Sequence, residues 1–143
     1  MMKTILLVDD DRADQELVRR ALGKVDAEID FQTAHDGQEA LDYLLASSGF
    51  TKGADKPTPA LILLDINMPK LDGRRFLRQI KANEALRSIP VVTFTTSTAN
   101  RDIQDMYQLG TNSYIAKPSS FSTLVELMES LHNFWFETAR LPA

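Results

Sequence analysis

The sequence contains no cysteine, which excludes a disulfide framework and any metal site built on thiolates, and suits a cytoplasmic location. The two histidines, His35 and His132, are isolated and are expected to be ordinary surface or packing residues. No apolar run approaches the ~20 residues that a membrane-spanning helix needs, so no membrane association is expected. Basic residues are not in excess either. The net charge of −4 argues against nucleic-acid and anionic-membrane binding.

Several functional motifs are also missing. An EF-hand loop beginning at Asp65 needs a glycine where Lys70 stands and a glutamate where Phe76 stands. The chain has no phosphate-binding loop of the G-x-x-x-x-G-K-[ST] type and no G-x-S-x-G nucleophile motif. What remains is a chain of 143 residues, the size of one ordinary domain.

Apolar runs alternate with segments of helical period along the whole chain. Predicted strands cover 4–8, 29–34, 60–64, 90–95 and 113–117, and predicted helices cover 12–24, 37–47, 73–84, 99–109 and 121–138. A loop rich in turn residues, SGFTKGADKPTP, occupies 48–59. Asp11 is expected to cap the first helix. A strand followed by a helix, five times over, predicts a parallel sheet with helices on both faces.

The character of each strand predicts its place in the sheet. Residues 4–8, 60–64 and 90–94 are continuously apolar, as in strands buried on both faces. Residues 29–34 alternate and 113–117 are mixed, which is typical of edge strands. With right-handed crossovers the simplest strand order is 2-1-3-4-5. The predicted fold class is therefore α/β, a flavodoxin-like doubly wound (βα)5 domain with a five-stranded parallel sheet.

Five polar residues follow the carboxyl ends of four predicted strands: Asp9, Asp10, Asp65, Thr95 and Lys117. In such sheets ligands bind beyond these ends, where the strand order reverses. Two carboxylates ~4 Å apart repel by about 4 kcal/mol at an effective dielectric near 20, so three of them require a cation or protons. An oxygen-only pocket suits Mg²⁺. Three carboxylates, one Mg²⁺ and the lysine balance to zero charge, and such a site can accept a phosphoryl group.

Each of these residues also has an ordinary interpretation. The acids after the first strand can simply start a helix, and Asp65 with Asn67 can form a turn. Thr95 suits a strand, and Lys117 can be a solvated strand end. Their joint position on one rim of the predicted sheet favours the functional interpretation.

The motifs VDD at 8–10, DINMPKLDG at 65–73, TFTTS at 93–97 and AKP at 116–118 make residues 3–131 resemble a response-regulator receiver domain. The resemblance implies that Asp65 accepts a phosphoryl group. It implies that Mg²⁺ is bound by Asp9, Asp10, Asp65 and the backbone carbonyl of Asn67. It further implies that Thr95 is the switch hydroxyl and that Tyr114 is the aromatic side chain that turns inward with it. Lys117 is implied to contact the acyl phosphate, next to a cis peptide bond with Pro118. Asn67 and Ser97 are implied to tune the phosphoryl lifetime.

The final segment adds three consecutive aromatic residues, Phe134, Trp135 and Phe136. On a helix they span about 200°, more than one core-facing stripe uses. They are expected either to fold back onto their own domain or, as we favour, to form an interface. The predicted organisation is a receiver domain at 1–131 and an aromatic extension of the last helix at 132–143, with no output domain.

The tail and the 48–59 loop resemble the stand-alone receivers associated with bacterial phytochromes. That resemblance implies a sensor histidine kinase as phosphoryl donor, a homodimer, and signalling by protein contacts rather than enzymatic turnover beyond the chain's own phosphorylation and dephosphorylation. Two alternatives remain open. One is an adaptor of receiver fold that works without phosphorylation. The other is an aspartyl-phosphate phosphatase, although such enzymes need a second acid where Asn67 stands.

Overall fold

The computed structural model describes residues 2–48 and 56–142. Its strands are β1 (Thr4–Val8), β2 (Asp30–Ala34), β3 (Leu61–Leu64), β4 (Val91–Thr95) and β5 (Ser113–Ala116). Its helices are α1 (Arg12–Val25), α2 (Gly37–Ser47), α3 (Gly73–Lys81), α4 (Asn100–Leu109) and α5 (Phe121–His132), the last followed by a π-helical turn, Asn133–Thr138. Most of the predicted loop at 48–59 lies outside the described residues. Within those ranges, no helix combines the length and the apolar character that crossing a membrane requires.

The five strands form one parallel sheet in the order β2-β1-β3-β4-β5, so the predicted order is confirmed. Strands β1, β3 and β4 are buried at every residue. The edge strands β2 and β5 are mostly half-buried. The difference between continuous and interrupted apolar runs therefore located the centre and the edges of the sheet correctly.

Successive residues of a strand face opposite sides of the sheet, so each central strand contributes to two hydrophobic cores. Leu6 and Ile62 pack on one face, with buried residues of α2, α3 and α4. Leu7 and Leu63 pack on the other face, with buried residues of α1 and α5. The two cores fix the sheet between two layers of helices, which leaves its carboxyl edge open for chemistry.

Side chains that precede the helices hold their first turns. Asp11 accepts hydrogen bonds from the N–H groups of Ala13 and Asp14, which confirms it as the cap of α1. Asp36, Asp72 and Ser120 cap α2, α3 and α5 in the same way. Each such cap contributes about 1 kcal/mol. Because α1 starts directly after β1, its cap also fixes the backbone next to Asp9 and Asp10.

The last helix differs from its prediction. The sequence predicts a continuous helix over 121–138, but the α-helix ends at His132 and the chain continues as the π-helical turn. In that turn the N–H of Ala139 donates to the carbonyl of Phe134, 2.7 Å away, an i to i+5 bond. In this turn Trp135 and Phe136 both pack against the domain, whereas Phe134 is exposed.

We expect Gly73→Ala to destabilise the protein by about 2 kcal/mol, because an added Cβ would lie 2.3 Å from the Asp65 carbonyl oxygen. Gly23→Ala is the matched control. Gly23 lies inside α1, nothing stands within 4 Å of its added Cβ, and the change should stabilise by about 0.5–1 kcal/mol. Urea unfolding of both variants measures the difference. Equal stability of the two would contradict the close approach of α3 to the end of β3.

Candidate functional site

Three carboxylates meet at the carboxyl ends of β1 and β3. Val8 and Leu64 are register partners in these neighbouring strands, so the residues that follow them, Asp9 and Asp65, emerge side by side. One carboxylate oxygen from each of Asp9, Asp10 and Asp65 lies within 4.8 Å of the other two. Asp9 is 1% exposed and Asp65 8% exposed, whereas Asp10 is open to solvent. The sheet thus brings together the three acids that the sequence singles out.

Lys117, the residue after β5, inserts its ammonium group among these acids. Its Nζ lies 2.7 Å from Oδ2 of Asp9, 2.8 Å from Oδ2 of Asp14 and 3.1 Å from Oδ2 of Asp65. An ammonium group has three N–H donors, and here each has a carboxylate acceptor. The lysine therefore serves as the internal cation of the cluster.

The pKa values follow from burial and pairing. Burial alone would lower the pKa of Lys117, but the hydrogen bonds to Asp14 and Asp9 and the charge of Asp65 outweigh it, and the pKa is raised. Burial raises the pKa of Asp9, against the opposing hydrogen bonds from Lys117 and from the Asp11 N–H. Lys117 therefore stays protonated at every physiological pH.

Asp65 is held by both of its oxygens. Oδ1 accepts a hydrogen bond from the N–H of Ile66, 2.7 Å away, and Oδ2 faces Lys117. The two contacts fix the plane of the carboxylate while the cluster remains reachable through the exposed Asp10. An oriented carboxylate beside a cation is a suitable nucleophile for an electron-poor phosphorus atom.

Asp14 is a member of the site that sequence reasoning missed. It lies in the first turn of α1, where an acidic residue is normally explained by the helix dipole, so the sequence carries no signal for its contact with Lys117. Its presence corrects the predicted charge balance. With a divalent cation bound, four carboxylates and one lysine leave the site at −1 rather than zero.

Thr95, Ser97 and Tyr114 form a connected group at the ends of β4 and β5. Thr95 is fully buried, and its Oγ1 accepts a hydrogen bond from the N–H of Ser97 at 3.4 Å. The Tyr114 hydroxyl donates to the carbonyl of Ser97 at 2.8 Å, and the ring packs against the core that contains Leu6. The two residues predicted to act as a switch therefore both contact one residue of the loop between β4 and α4.

Two further expectations concern the carbonyl of Asn67 and the peptide bond before Pro118. Asn67 follows Asp65 by two residues with an exposed side chain, and the metal contact of its carbonyl remains a prediction. The cis bond expected before Pro118 is wrong, because no peptide bond in residues 2–48 and 56–142 is cis. The trans isomer is the favoured form of such bonds, and Lys117 reaches all its acceptors with it.

The three aromatic residues of the tail are not equivalent. Phe134 is 54% exposed and packs edge-on against Trp135, with ring centroids 5.0 Å apart. Both line an apolar groove of about 470 Å³ along β5 and α5, next to Ile115. Phe136 instead packs on its own domain, where the Lys3 Nζ lies 5.1 Å from the ring centroid. Of the predicted interface residues, Phe134 and Trp135 border this apolar groove, whereas Phe136 is half-buried and borders a separate cleft beside Met2 and His132.

The donor set of the acidic cluster limits its cation. The candidate ligands are oxygens, with no histidine or cysteine in the group. Oxygen-only sites with one exposed carboxylate suit hard divalent cations that keep part of their water shell. The cluster therefore fits a divalent metal such as Mg²⁺.

Comparison with known proteins identifies the family. The response regulator receiver domain family matches residues 5–129. Response regulator Rcp1 of Synechocystis is 38% identical over 141 residues, 99% of this chain and 94% of Rcp1, and its structure has been solved in a Mn²⁺-bound form (TM-score 0.83, covering 99% of both chains). The probable methanogenesis regulatory protein FilR2 of Methanothrix harundinacea is 39% identical over 138 residues, 96% of this chain and 86% of that protein.

A solved structure extends this likeness to the whole chain. The phosphorylated cyanobacterial phytochrome response regulator RcpA superposes with a TM-score of 0.90 at 39% identity, covering 100% of both chains. Receivers of this family generally act in signalling rather than as catalysts of other reactions. The chain belongs to the response regulator receiver domain family and is related to phytochrome response regulators.

Proposed function

We propose that the protein accepts a phosphoryl group on Asp65 from the phosphohistidine of a sensor histidine kinase and signals through protein contacts. The observation that supports this most is the arrangement around Asp65. Its carboxylate is nearly buried, is held by the Ile66 N–H, and lies between Lys117 and the two acids that follow β1. This arrangement offers a nucleophile together with the positive charge that a transferring phosphoryl group needs.

In the transfer step, an oxygen of the Asp65 carboxylate forms a bond to phosphorus while the bond from phosphorus to the histidine nitrogen breaks. The nitrogen keeps the electron pair, and the ring, protonated on its other nitrogen in the phosphohistidine, leaves as neutral imidazole. Lys117 balances negative charge that develops on the phosphoryl oxygens, for which it exchanges its contact with Asp65. Thr95 donates its hydroxyl to the phosphoryl group, and water later hydrolyses the aspartyl phosphate, with Asn67 and Ser97 tuning that lifetime.

Mg²⁺ is the cofactor in this proposal. The ligands would be the side chains of Asp9, Asp10 and Asp65 and the carbonyl of Asn67, and the oxygen-only donor set fits that ion. The bound ion would supply charge neutralisation for the phosphoryl oxygens. The Mn²⁺-bound structure of Rcp1 supports a divalent metal at a site of this kind.

The proposed kinase is of the phytochrome type. The support is the similarity to Rcp1 and to RcpA, which is described as a cyanobacterial phytochrome response regulator. FilR2 is as similar in sequence and is described as a methanogenesis regulator, so the kinase type rests on the structural neighbours more than on sequence identity. In this proposal the protein works in the cytoplasm, where ATP-dependent kinases act.

We further propose a receiver domain at residues 1–131, and a homodimer formed through the extension at 132–143. The groove along β5 and α5 is apolar and ends at the exposed ring of Phe134. Aromatic side chains beside a groove are the usual anchors of protein interfaces. Phe136, which packs on its own domain, would hold the extension in place rather than contact the second copy.

Mg²⁺ should stabilise the protein, by about 2.7 kcal/mol at a concentration 100 times its dissociation constant. Asp10→Asn should lose most of this gain because it removes a ligand. Asp11→Asn is the matched control: it removes the same charge from the neighbouring residue, and asparagine still caps α1. Thermal unfolding with and without Mg²⁺ measures the effect. Equal gains in both variants would exclude Asp10 as a ligand.

Acetyl phosphate with Mg²⁺ should phosphorylate the wild type and Asp11→Asn but not Asp65→Asn, whose amide is a poor nucleophile. Intact-protein mass spectrometry detects the added phosphoryl group. Full labelling of Asp65→Asn would rule out Asp65 as the acceptor. A partner that bound wild type and Asp65→Asn equally under phosphorylating conditions would support the phosphorylation-independent adaptor instead.

Phe134→Ala and Trp135→Ala should each weaken the dimer by about 2 kcal/mol, or about 30-fold in dissociation constant. Leu17→Ala, which truncates an exposed apolar residue on α1, should leave it unchanged. Sedimentation equilibrium with and without acetyl phosphate measures the mass. A wild type that is monomeric in both conditions would remove the dimer from the proposal.

A further inference from the structure

Ser97 is the meeting point of three elements at the sheet edge. Its N–H donates to Oγ1 of Thr95, and its carbonyl accepts from the hydroxyl of Tyr114 on β5. Its own hydroxyl donates to Oδ2 of Asp102 in the first turn of α4, at 2.5 Å. The position of Ser97 therefore determines whether Tyr114 finds its acceptor.

Asp102 is itself held from a neighbouring helix. Arg74, on α3, donates to Oδ1 of Asp102 and, at 3.4 Å, to Oδ2 of Asp105. The hydroxyl of Ser97 and the guanidinium of Arg74 lower the pKa of Asp102. Asp102 is therefore ionised and accepts two hydrogen bonds with charge assistance, which are stronger than neutral ones.

The start of α4 depends on the same hydroxyl. Its cap residue, Ala99, has no side chain that can accept hydrogen bonds from the first turn. The Ala99 N–H instead donates to Oγ of Ser97 at 3.3 Å. The hydroxyl of Ser97 thus gives its single proton to Asp102 and uses a lone pair for Ala99, so its direction is fixed at both ends.

We propose that Arg74 and Asp102 are positioning residues that hold Ser97, and through Ser97 the side chain of Tyr114, in a tethered arrangement. We call Arg74, Asp102 and Ser97 the α3–α4 lock. The lock connects the loop after β4 to two helices, whereas a loop held by backbone bonds alone would be free to leave Tyr114 without its acceptor.

The consequence for phosphorylation depends on the proposed function of Asp65. When the conformation that a reaction requires is already populated, the activation free energy of the reaction does not include the free energy of reaching that conformation. Because the N–H of Ser97 donates to Oγ1 of Thr95, the lock also orients the hydroxyl that the proposed function assigns to the phosphoryl group, and it should therefore speed phosphoryl uptake. Its loss should lower the rate by about fivefold, the factor that corresponds to about 1 kcal/mol.

The test uses the full chain labelled with 3-fluorotyrosine, in which three tyrosines give three ¹⁹F resonances that Tyr→Phe variants assign. Asp102→Asn should move the Tyr114 resonance toward its value in the unfolded chain. Asp105→Asn is the matched control, because Asp105 also contacts Arg74 but has no contact with Ser97, and it should leave Tyr114 unchanged. Phosphorylation by acetyl phosphate should slow about fivefold in Asp102→Asn alone.

A double-mutant comparison separates positioning from general stability. In a Ser97→Ala background, Asp102→Asn should have no further effect on the Tyr114 resonance or on the rate. Equal effects of Asp102→Asn with and without the Ser97 hydroxyl would overturn the proposal, as would equal effects of Asp102→Asn and Asp105→Asn.

If Asp102→Asn fails to fold, Arg74→Met gives the same test. A wild type that takes up no phosphoryl group would refute the proposed function, while the Tyr114 resonance would still report on the lock.

Discussion

The site depends on one electrostatic constraint, which is that parallel neighbouring strands deliver several carboxylates to the same place. The register of β1 and β3 leaves Asp9 and Asp65 no freedom to separate. Buried like charges are costly, and the fold meets that cost with an internal cation, Lys117, carried on a strand at the far edge of the sheet. Because Lys117 directly follows the last strand, it reaches the acids only when β1, β3, β4 and β5 are paired. Pairing of these strands is therefore a condition for the site.

The loop after β4 connects the carboxyl edge of the sheet to β5 and α4. Thr95 lies at the carboxyl end of β4, where its carbonyl accepts a hydrogen bond from the N–H of Lys117 and its hydroxyl oxygen accepts one from the N–H of Ser97. From there hydrogen bonds continue to β5 and α4. In the proposed function, a shift of Thr95 toward a phosphoryl group acts on Ser97, whose three polar groups are all engaged. We expect the loop, Tyr114 and the first turn of α4 to keep their mutual contacts during that shift and to respond as one unit.

The fold and the acidic cluster could be predicted because both follow from strand character. Buried central strands appear in the sequence as unbroken apolar runs. The residues at the ends of the predicted strands then fall on the carboxyl edge of the sheet, which placed Asp9, Asp65, Thr95 and Lys117 on one rim. The distance that a side chain spans to its partner leaves no such signal in the sequence. Asp14 appears in the sequence as an acid in a first helical turn, and nothing in its spacing indicates a contact with a residue 103 positions later.

The predicted end of the last helix was wrong for a related reason. Helical period predicts which residues share a face only while the helix stays α-helical, and the π-helical turn after His132 changes that relation. Phe136 packs on its own domain, which is one of the two outcomes that the sequence leaves open for the three aromatic residues. The ion pair between Arg74 and Asp102 was equally hidden, because it joins two helices whose relative rotation is set by packing and not by local sequence.

The contact between Asp14 and Lys117 connects α1 directly to the acidic cluster. The side chain of Asp14, on α1, is partly exposed to water, whereas the side chain of Lys117 is nearly buried. In the proposed function, a protein that docked on α1 and displaced Asp14 would remove one of the three carboxylates that contact Lys117, leaving the ammonium group to Asp9 and Asp65. Binding to the outer face of α1 would thereby change the charge around Asp65.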